Sequence, residues 1–145
     1  MSERENRRLI EEAFSALNAH DPERYAKIVD DSYVLESEAY PAPIRGREGV
    51  RQFIATYVKA FPDFHYEIEQ IVASGDYVVS RWRITGTHKG EFDGIPATNR
   101  QFSTRGCTVT EIRNSRIVKA SVYYDQLVVL EQLGVAAGKA ARAAS

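Results

Sequence analysis

The sequence predicts an α+β fold in which a curved antiparallel sheet wraps around a layer of three N-terminal helices and a short C-terminal helix follows. Two observations carry this prediction. Apolar residues recur at helical spacing through most of the first sixty positions, and beyond residue 64 they fall into long strand-like runs separated by tight-turn signals. The order, helices first and then a meander of strands, implies a sheet closed on one side by a helix layer. A concave interior of that kind is where small ligands bind.

Each element has its own signal. Between residues 4 and 19, Leu9, Ile10, Ala13, Phe14, Ala16 and Leu17 mark one apolar helical face. Asp21-Pro22 then supplies an N-cap and a proline at the first helical position, opening a short helix through Val29. A strand is expected over 33–40, broken by the prolines and glycine of PAPIRG. After Gly46, the spacing of Val50, Phe53, Ile54, Tyr57 and Val58 predicts a third helix, ended by Phe61-Pro62. Strands 65–73 and 77–89 are joined by Ser74-Gly75-Asp76, and strands 100–112 and 116–124 by Asn114-Ser115. GEFDGIPATN is a loop at a sheet end, and Leu127, Leu130 and Leu133 mark a last helix over 126–133 that stops at Gly134. The expected organisation is one domain over 1–134 followed by a weakly ordered tail over 135–145.

Composition removes several functional classes. The chain has 145 residues, 43% hydrophobic and 27% charged, with a formal net charge of -1. Such a balance gives no electrostatic reason to expect nucleic acid or an anionic membrane as partner. The single cysteine, Cys107, excludes an intramolecular disulfide and suits a reducing cytoplasm. The polar N-terminus does not read as a signal peptide, and no apolar run approaches the roughly 20 residues that cross a bilayer. Three histidines without paired spacing support no metal site, and no glycine-rich phosphate motif supports a nucleotide cofactor.

Three stretches carry a resemblance. PIRGREGVRQFIATYVKAFPDF, then ASGDYVVSRWRITGTHKGEFDGIPATNRQF, then YYDQLVVLEQLG resemble, in order, segments of the SnoaL-like polyketide cyclase and ester cyclase family of the NTF2-like superfamily. The GTHKGEFDGIPAT stretch is the most specific of them. The resemblance implies an NTF2-like cone, often a homodimer, and acid–base ring closure on polyketide intermediates without metal or organic cofactor. The pattern is broken at Ala120-Ser121, where many members of that family carry His-Trp. Altered substrate shape or altered chemistry is expected from that change.

Asp125 is the first catalytic candidate. It ends a strand at the same parity as Ser121 and Tyr123, so all three are expected to face one side. An apolar cone would raise its pKa toward neutrality. The residues alone leave open whether Asp125 caps the helix beginning at Gln126 or does chemistry, and the resemblance favours chemistry. His88 shares parity with Trp82, Ile84 and Gly86 and would polarise a carbonyl or relay a proton. Glu36 and Glu38 alternate with Val34 and Tyr40; an inward face would make them a carboxylate pair, and a solvated strand face is the alternative. Of the two, Glu38 is the better placed catalytic partner. Tyr40, Phe53, Tyr57, Trp82, Ser121 and Tyr123, with Glu36, are the expected substrate-lining set, while Cys107 reads as a buried small residue.

Three functions follow from this reading. The first is a cofactor-independent cyclase acting on a hydrophobic polyketide-type intermediate by acid–base and shape-directed catalysis. An isomerase or epoxide hydrolase of the same fold is the second, and it requires a second inward carboxylate. The third, a non-catalytic binding module, gains if Asp125 is a helix cap and no other ionisable group reaches the pocket.

Overall fold

The structure is a computed structural model that describes residues 2–135. It contains α1 (Glu3–Asn18), α2 (Pro22–Ala26), β1 (Val29–Glu36), β2 (Ile44–Arg45), α3 (Gly46–Ala60), β3 (His65–Ser74), β4 (Tyr77–Thr87), β5 (Gln101–Arg113), β6 (Arg116–Tyr124) and α4 (Gln126–Gln132). The helix starts follow their capping chemistry. Ser2 accepts from the Glu5 N–H, and Asp21 accepts from the Arg24 N–H at 3.1 Å with Pro22 at the first helical position. The tail expected over 135–145 lies outside the described residues except for Val135, whose N–H donates to the Leu130 carbonyl.

Six strands form one sheet in the order β2-β1-β6-β5-β4-β3. The expectation of a wholly antiparallel sheet is corrected at one seam: β1 runs parallel to β6, pairing Leu35 with Ala120 and Glu36 with Ser121. A parallel pair needs a long connection, and here everything from β2 to β5 intervenes between the two strands. The first strand also lies earlier than the predicted 33–40, because Val29 and Tyr33 enter the core as strand while Ser37 to Pro43 form turns and bends.

Curvature has visible causes. The register shifts between Ile68 and Gln70, between Glu111 and Ile112, and between Val29 and Val34, and such bulges bend and twist a strand. The concave face holds even-numbered residues of β4 and β5, with Trp82 opposite Gly106 and Ser80 opposite Thr108. Gly106 is a requirement of packing, since a Cβ there would stand 2.6 Å from Trp82 Cζ2. The indole therefore lies across β5, and its Nε1–H donates to Thr108 Oγ1 at 2.9 Å.

A second fixed point is the FPDF corner after α3. Phe61 and Phe64 are buried, while Asp63 reaches across to β4 and accepts from the Thr87 N–H at 2.7 Å and the Thr87 hydroxyl at 2.6 Å. These bonds hold the Asp63 carboxyl below its ordinary pKa. Among the described residues no helix is long and apolar enough to cross a membrane.

Replacing Gly106 with alanine is expected to destabilise the protein by about 1–3 kcal/mol, the usual result of overpacking a filled core. Urea denaturation checks this; an unchanged midpoint would mean that the indole has room to move.

Candidate functional site

The interior of the cone is aromatic. Tyr40, Tyr66, Trp82 and Val122 form a wall through its middle, bordering an outer compartment on one side and a deeper one on the other. The outer compartment is completed chiefly by Tyr57 and Phe61 of α3, Phe92 of the loop after β4, Phe102 and Thr104 of β5, Tyr124 of β6 and the apolar face of α4. Its cavity volume is about 40 Å³.

Edge-to-face and tilted ring contacts hold this lining in place. Phe61 packs against Phe92 at 5.2 Å and Phe102 at 5.1 Å, and Tyr57 against Phe92 at 5.2 Å. The polar groups of the outer compartment are hydroxyls and one amide: the four phenols Tyr40, Tyr57, Tyr66 and Tyr124, with Thr104 and Gln126. Among the described residues no Asp, Glu, His, Lys or Arg lines either compartment. Burial is the main cause that pushes Tyr40, Tyr57, Tyr66 and Tyr124 above the ordinary phenol range, so each stays a neutral hydrogen-bond donor.

The residues singled out in the sequence divide between two places. Tyr40, Phe53, Tyr57 and Trp82 line the interior. Glu36, Glu38, Ser121 and Tyr123 come together instead at an open groove outside it, beyond Tyr40 and Val122. The physical reason is strand parity. On β6 it is Ala120, Val122 and Tyr124 that face inward, so the shared side of Ser121 and Tyr123 is the outer one. Glu36 accepts from the Ser121 hydroxyl at 2.9 Å and pairs with Lys119 at 3.3 Å, and both contacts lower its pKa. Glu36 and Glu38 therefore form no inward carboxylate pair.

Asp125 is exposed and caps α4: its Oδ1 accepts from the Leu127 N–H at 3.0 Å and the Val128 N–H at 3.4 Å. It lies between two lining residues, Tyr124 and Gln126, without lining the cavity itself. His88 is fully buried but stands behind Phe61, with ring centroids 5.4 Å apart. Its Nδ1 accepts from the Thr98 N–H at 3.3 Å, which leaves the ring proton on Nε2, and its backbone bonds Arg100 and Asn99. Burial lowers its pKa, with the Gly90 backbone opposing. The strand alternation that predicted an inward His88 ends at Thr87, and the histidine staples the following loop. Cys107, expected to be buried, is half-buried at the same parity as Arg81 and Tyr123.

One residue of interest escaped the sequence reading. Asp93 and Gly94 both have positive φ (49° and 79°), and Phe92 and Ile95 exchange backbone hydrogen bonds around them at 3.0 and 2.8 Å. This small hairpin sends Phe92 into the outer compartment and leaves Asp93 at its tip. The Asp-Gly pair, a strong hairpin signal, was available in the sequence. Desolvation raises the Asp93 pKa, and its charge is felt by the Tyr124 phenol.

Comparison with known proteins gives one family and a consistent fold. The family described as SnoaL-like polyketide cyclase matches residues 7–133. IdmH of Streptomyces antibioticus, a candidate polyketide cyclase, is 33% identical with a TM-score of 0.71, covering 88% of this chain and 96% of its own. AclR of Streptomyces galilaeus, a candidate hydroxylase, is 27% identical with a TM-score of 0.80, covering 92% and 83%. A protein of ketosteroid isomerase-like fold from Catenulispora acidiphila is 21% identical with a TM-score of 0.79, covering 90% and 95%. Among curated proteins none matches.

The buried phenols set an alkaline limit. Their folded pKa values lie above the unfolded value of about 10, so the unfolded chain loses these protons first as pH rises. The stability they contribute is whole below about pH 10 and is lost above it as the folded values are reached. Urea midpoints measured from about pH 8 to 12 are expected to fall steeply above pH 10; a flat profile would contradict the burial of these hydroxyls.

Proposed function

This chain belongs to the SnoaL-like polyketide cyclase family, and on that premise we propose that it is a cofactor-independent cyclase closing a ring on a polyketide-type intermediate. The observation that carries the reading is the outer compartment itself, an apolar aromatic chamber whose polar groups are neutral. Phenol donors in such a site suit a carbonyl oxygen whose negative charge grows as a neighbouring C–H bond is broken. An apolar carbon chain bearing several carbonyls matches both features.

In the proposed reaction a carboxylate takes a proton from a carbon next to a carbonyl, and Tyr57 and Tyr124 donate to the enolate oxygen. The enolate carbon then attacks a second carbonyl, forming the ring bond, and the carboxylic acid returns the proton to the new alkoxide. The product is an isomer of the substrate, so the balance requires no co-reactant. The carboxylate we assign is Asp93, because it stands at the tip of the hairpin that sends Phe92 into the chamber and its charge reaches the Tyr124 phenol. Asp125, next to Tyr124 with Oδ1 engaged by the α4 cap, is the second candidate. The shape of the chamber supplies the orientation of the two carbonyls.

A second reading has its own observation. Since no group ionised at neutral pH lines either compartment, a binding module that carries an apolar molecule also fits. The hydrolase and isomerase readings lose support because Glu36 and Glu38 face the outer groove.

The deciding experiment is deletion of the gene in its producer, complementation with wild type, Asp93→Asn, Asp125→Asn or Tyr57→Phe, and product analysis by mass spectrometry and NMR. An uncyclised isomer is expected in the deletion strain, rescued by wild type. Asp93→Asn is expected to lose about 10²–10⁴-fold of the rate. Full rescue by Asp93→Asn with loss in Asp125→Asn would move the proton chemistry to Asp125. Unaltered ring structure at lowered yield would favour the binding module.

We further propose that a second copy of the chain covers the outer face of the sheet. Val72, Val79, Tyr77 and Tyr123 are exposed there, with Val72 paired to Val79 across β3 and β4. Light scattering is expected to give a dimer for wild type and a monomer for the double variant Val79→Asp, Tyr123→Arg; a wild-type monomer would refute this.

A further inference from the structure

The deeper compartment lies beneath the wall of Tyr40, Tyr66, Trp82 and Val122. Phe14 of α1 and Phe53 of α3 close it from the helix side, and on the sheet side it is lined by Ser80, Thr108, Thr110 and Ala120. Its cavity volume is about 80 Å³, twice that of the outer compartment. At a water's share of liquid volume that is room for about three waters, in a close-packed protein where voids larger than one water are few.

Among the described residues that line this space, one fully buried side-chain polar atom lacks a partner. Ser80 is fully buried, and its Oγ has no hydrogen bond within the chain. Its cross-strand neighbour Thr108 differs, because Thr108 Oγ1 accepts the Trp82 indole N–H. A buried hydroxyl without a partner has lost its hydration with nothing in exchange. The unfilled apolar space and the unpartnered hydroxyl occur in the same place, and one occupant satisfies both.

We propose that the deeper compartment is a ligand subsite for an apolar alkyl or aryl segment carrying one carbonyl oxygen, which accepts the Ser80 Oγ–H. The link to a long, oxygen-bearing substrate rests on the cyclase reading; the subsite itself belongs to the chain whatever the reaction. A substrate held this way spans both compartments past the Tyr40–Trp82 wall. Its unreactive end is anchored beside Ser80, and its reacting carbons lie at the Tyr57–Tyr124 hydroxyls. Binding at the remote end then orients the reacting end.

Trp82 is the single tryptophan and borders the subsite, so its fluorescence reports occupancy. The full-length protein would be titrated with 2-nonanone and with nonane, the same chain length without the oxygen. A saturable change in emission is expected with both. Ser80→Ala is expected to weaken 2-nonanone binding about ten-fold, in line with loss of one hydrogen bond from a buried site, and to leave nonane unchanged. Thr104→Val, which alters the outer compartment alone, is expected to leave both affinities within about two-fold. Because Ser80→Ala removes a hydroxyl that bonds nothing, its urea midpoint is expected to equal or exceed that of wild type.

Absence of saturable binding overturns the proposal. So does a Ser80→Ala variant with a lowered midpoint and unchanged ketone affinity, which would mean a structural water in this space. Equal losses in Thr104→Val and Ser80→Ala would overturn the location. These outcomes are independent of the deletion strain: ketone binding through Ser80 can hold while cyclisation fails, and the reverse result is equally distinguishable.

Discussion

Much of this molecule depends on one contact, the indole of Trp82 lying across the backbone of Gly106. A side chain at position 106 would displace the ring, and with it the hydrogen bond to Thr108 and the edge-on contact with Tyr66 at 5.2 Å. Trp82 borders both compartments, so its position decides where one ends and the other begins. The bulges that bend β3 and β6 give the sheet its concavity. The indole then fills the middle of that concavity and leaves space above and below it.

Electrostatics inside the cone follow from the same filling. Rings exclude water, and exclusion of water holds each phenol in its neutral form. A neutral phenol donates a hydrogen bond without carrying a counter-charge that would have to be solvated. Such an interior suits the proposed chemistry, in which charge develops on a bound molecule and proton transfer to the protein falls to the rim. Asp93 sits at that rim on a hairpin whose other residues serve the core, since Ile95 is buried and Phe92 packs between Tyr57 and Phe61.

The elements were legible because their signals are local. Asp21-Pro22, Gly46, Phe61-Pro62 and Asn114-Ser115 each fix a boundary through capping or turn chemistry, and those boundaries stand within a residue or two of the observed ones. The parallel seam between β1 and β6 was not legible, because it depends on which edges meet after folding. The aromatic lining could be read in part for the same reason as the core: Trp82, Tyr57 and Phe53 are apolar residues on faces that periodicity identifies. The polar candidates fared differently. Parity correctly grouped Ser121 with Tyr123, yet nothing in an alternating strand says which side is concave when both sides carry tyrosines. His88 lies one residue past the end of its strand, where alternation no longer governs direction.

The break in the family pattern at Ala120-Ser121 gains a physical meaning from the same parity. Ser121 faces out and bonds Glu36, so its identity bears on the outer groove. Ala120 faces in, is buried, and lines the deeper compartment opposite Thr110. A larger side chain at position 120 would occupy space that the alanine leaves open, in the same compartment that Ser80 lines. The change therefore acts on the volume available to a ligand, with no group of the proposed proton chemistry at that position. On the proposed reading, substrate shape is set by Ala120 and Ser80 below Trp82, and proton transfer by Asp93, Tyr57 and Tyr124 above it. On that reading, changes in the floor of the cavity alter what the chain accepts while the reacting end keeps its hydroxyls in place.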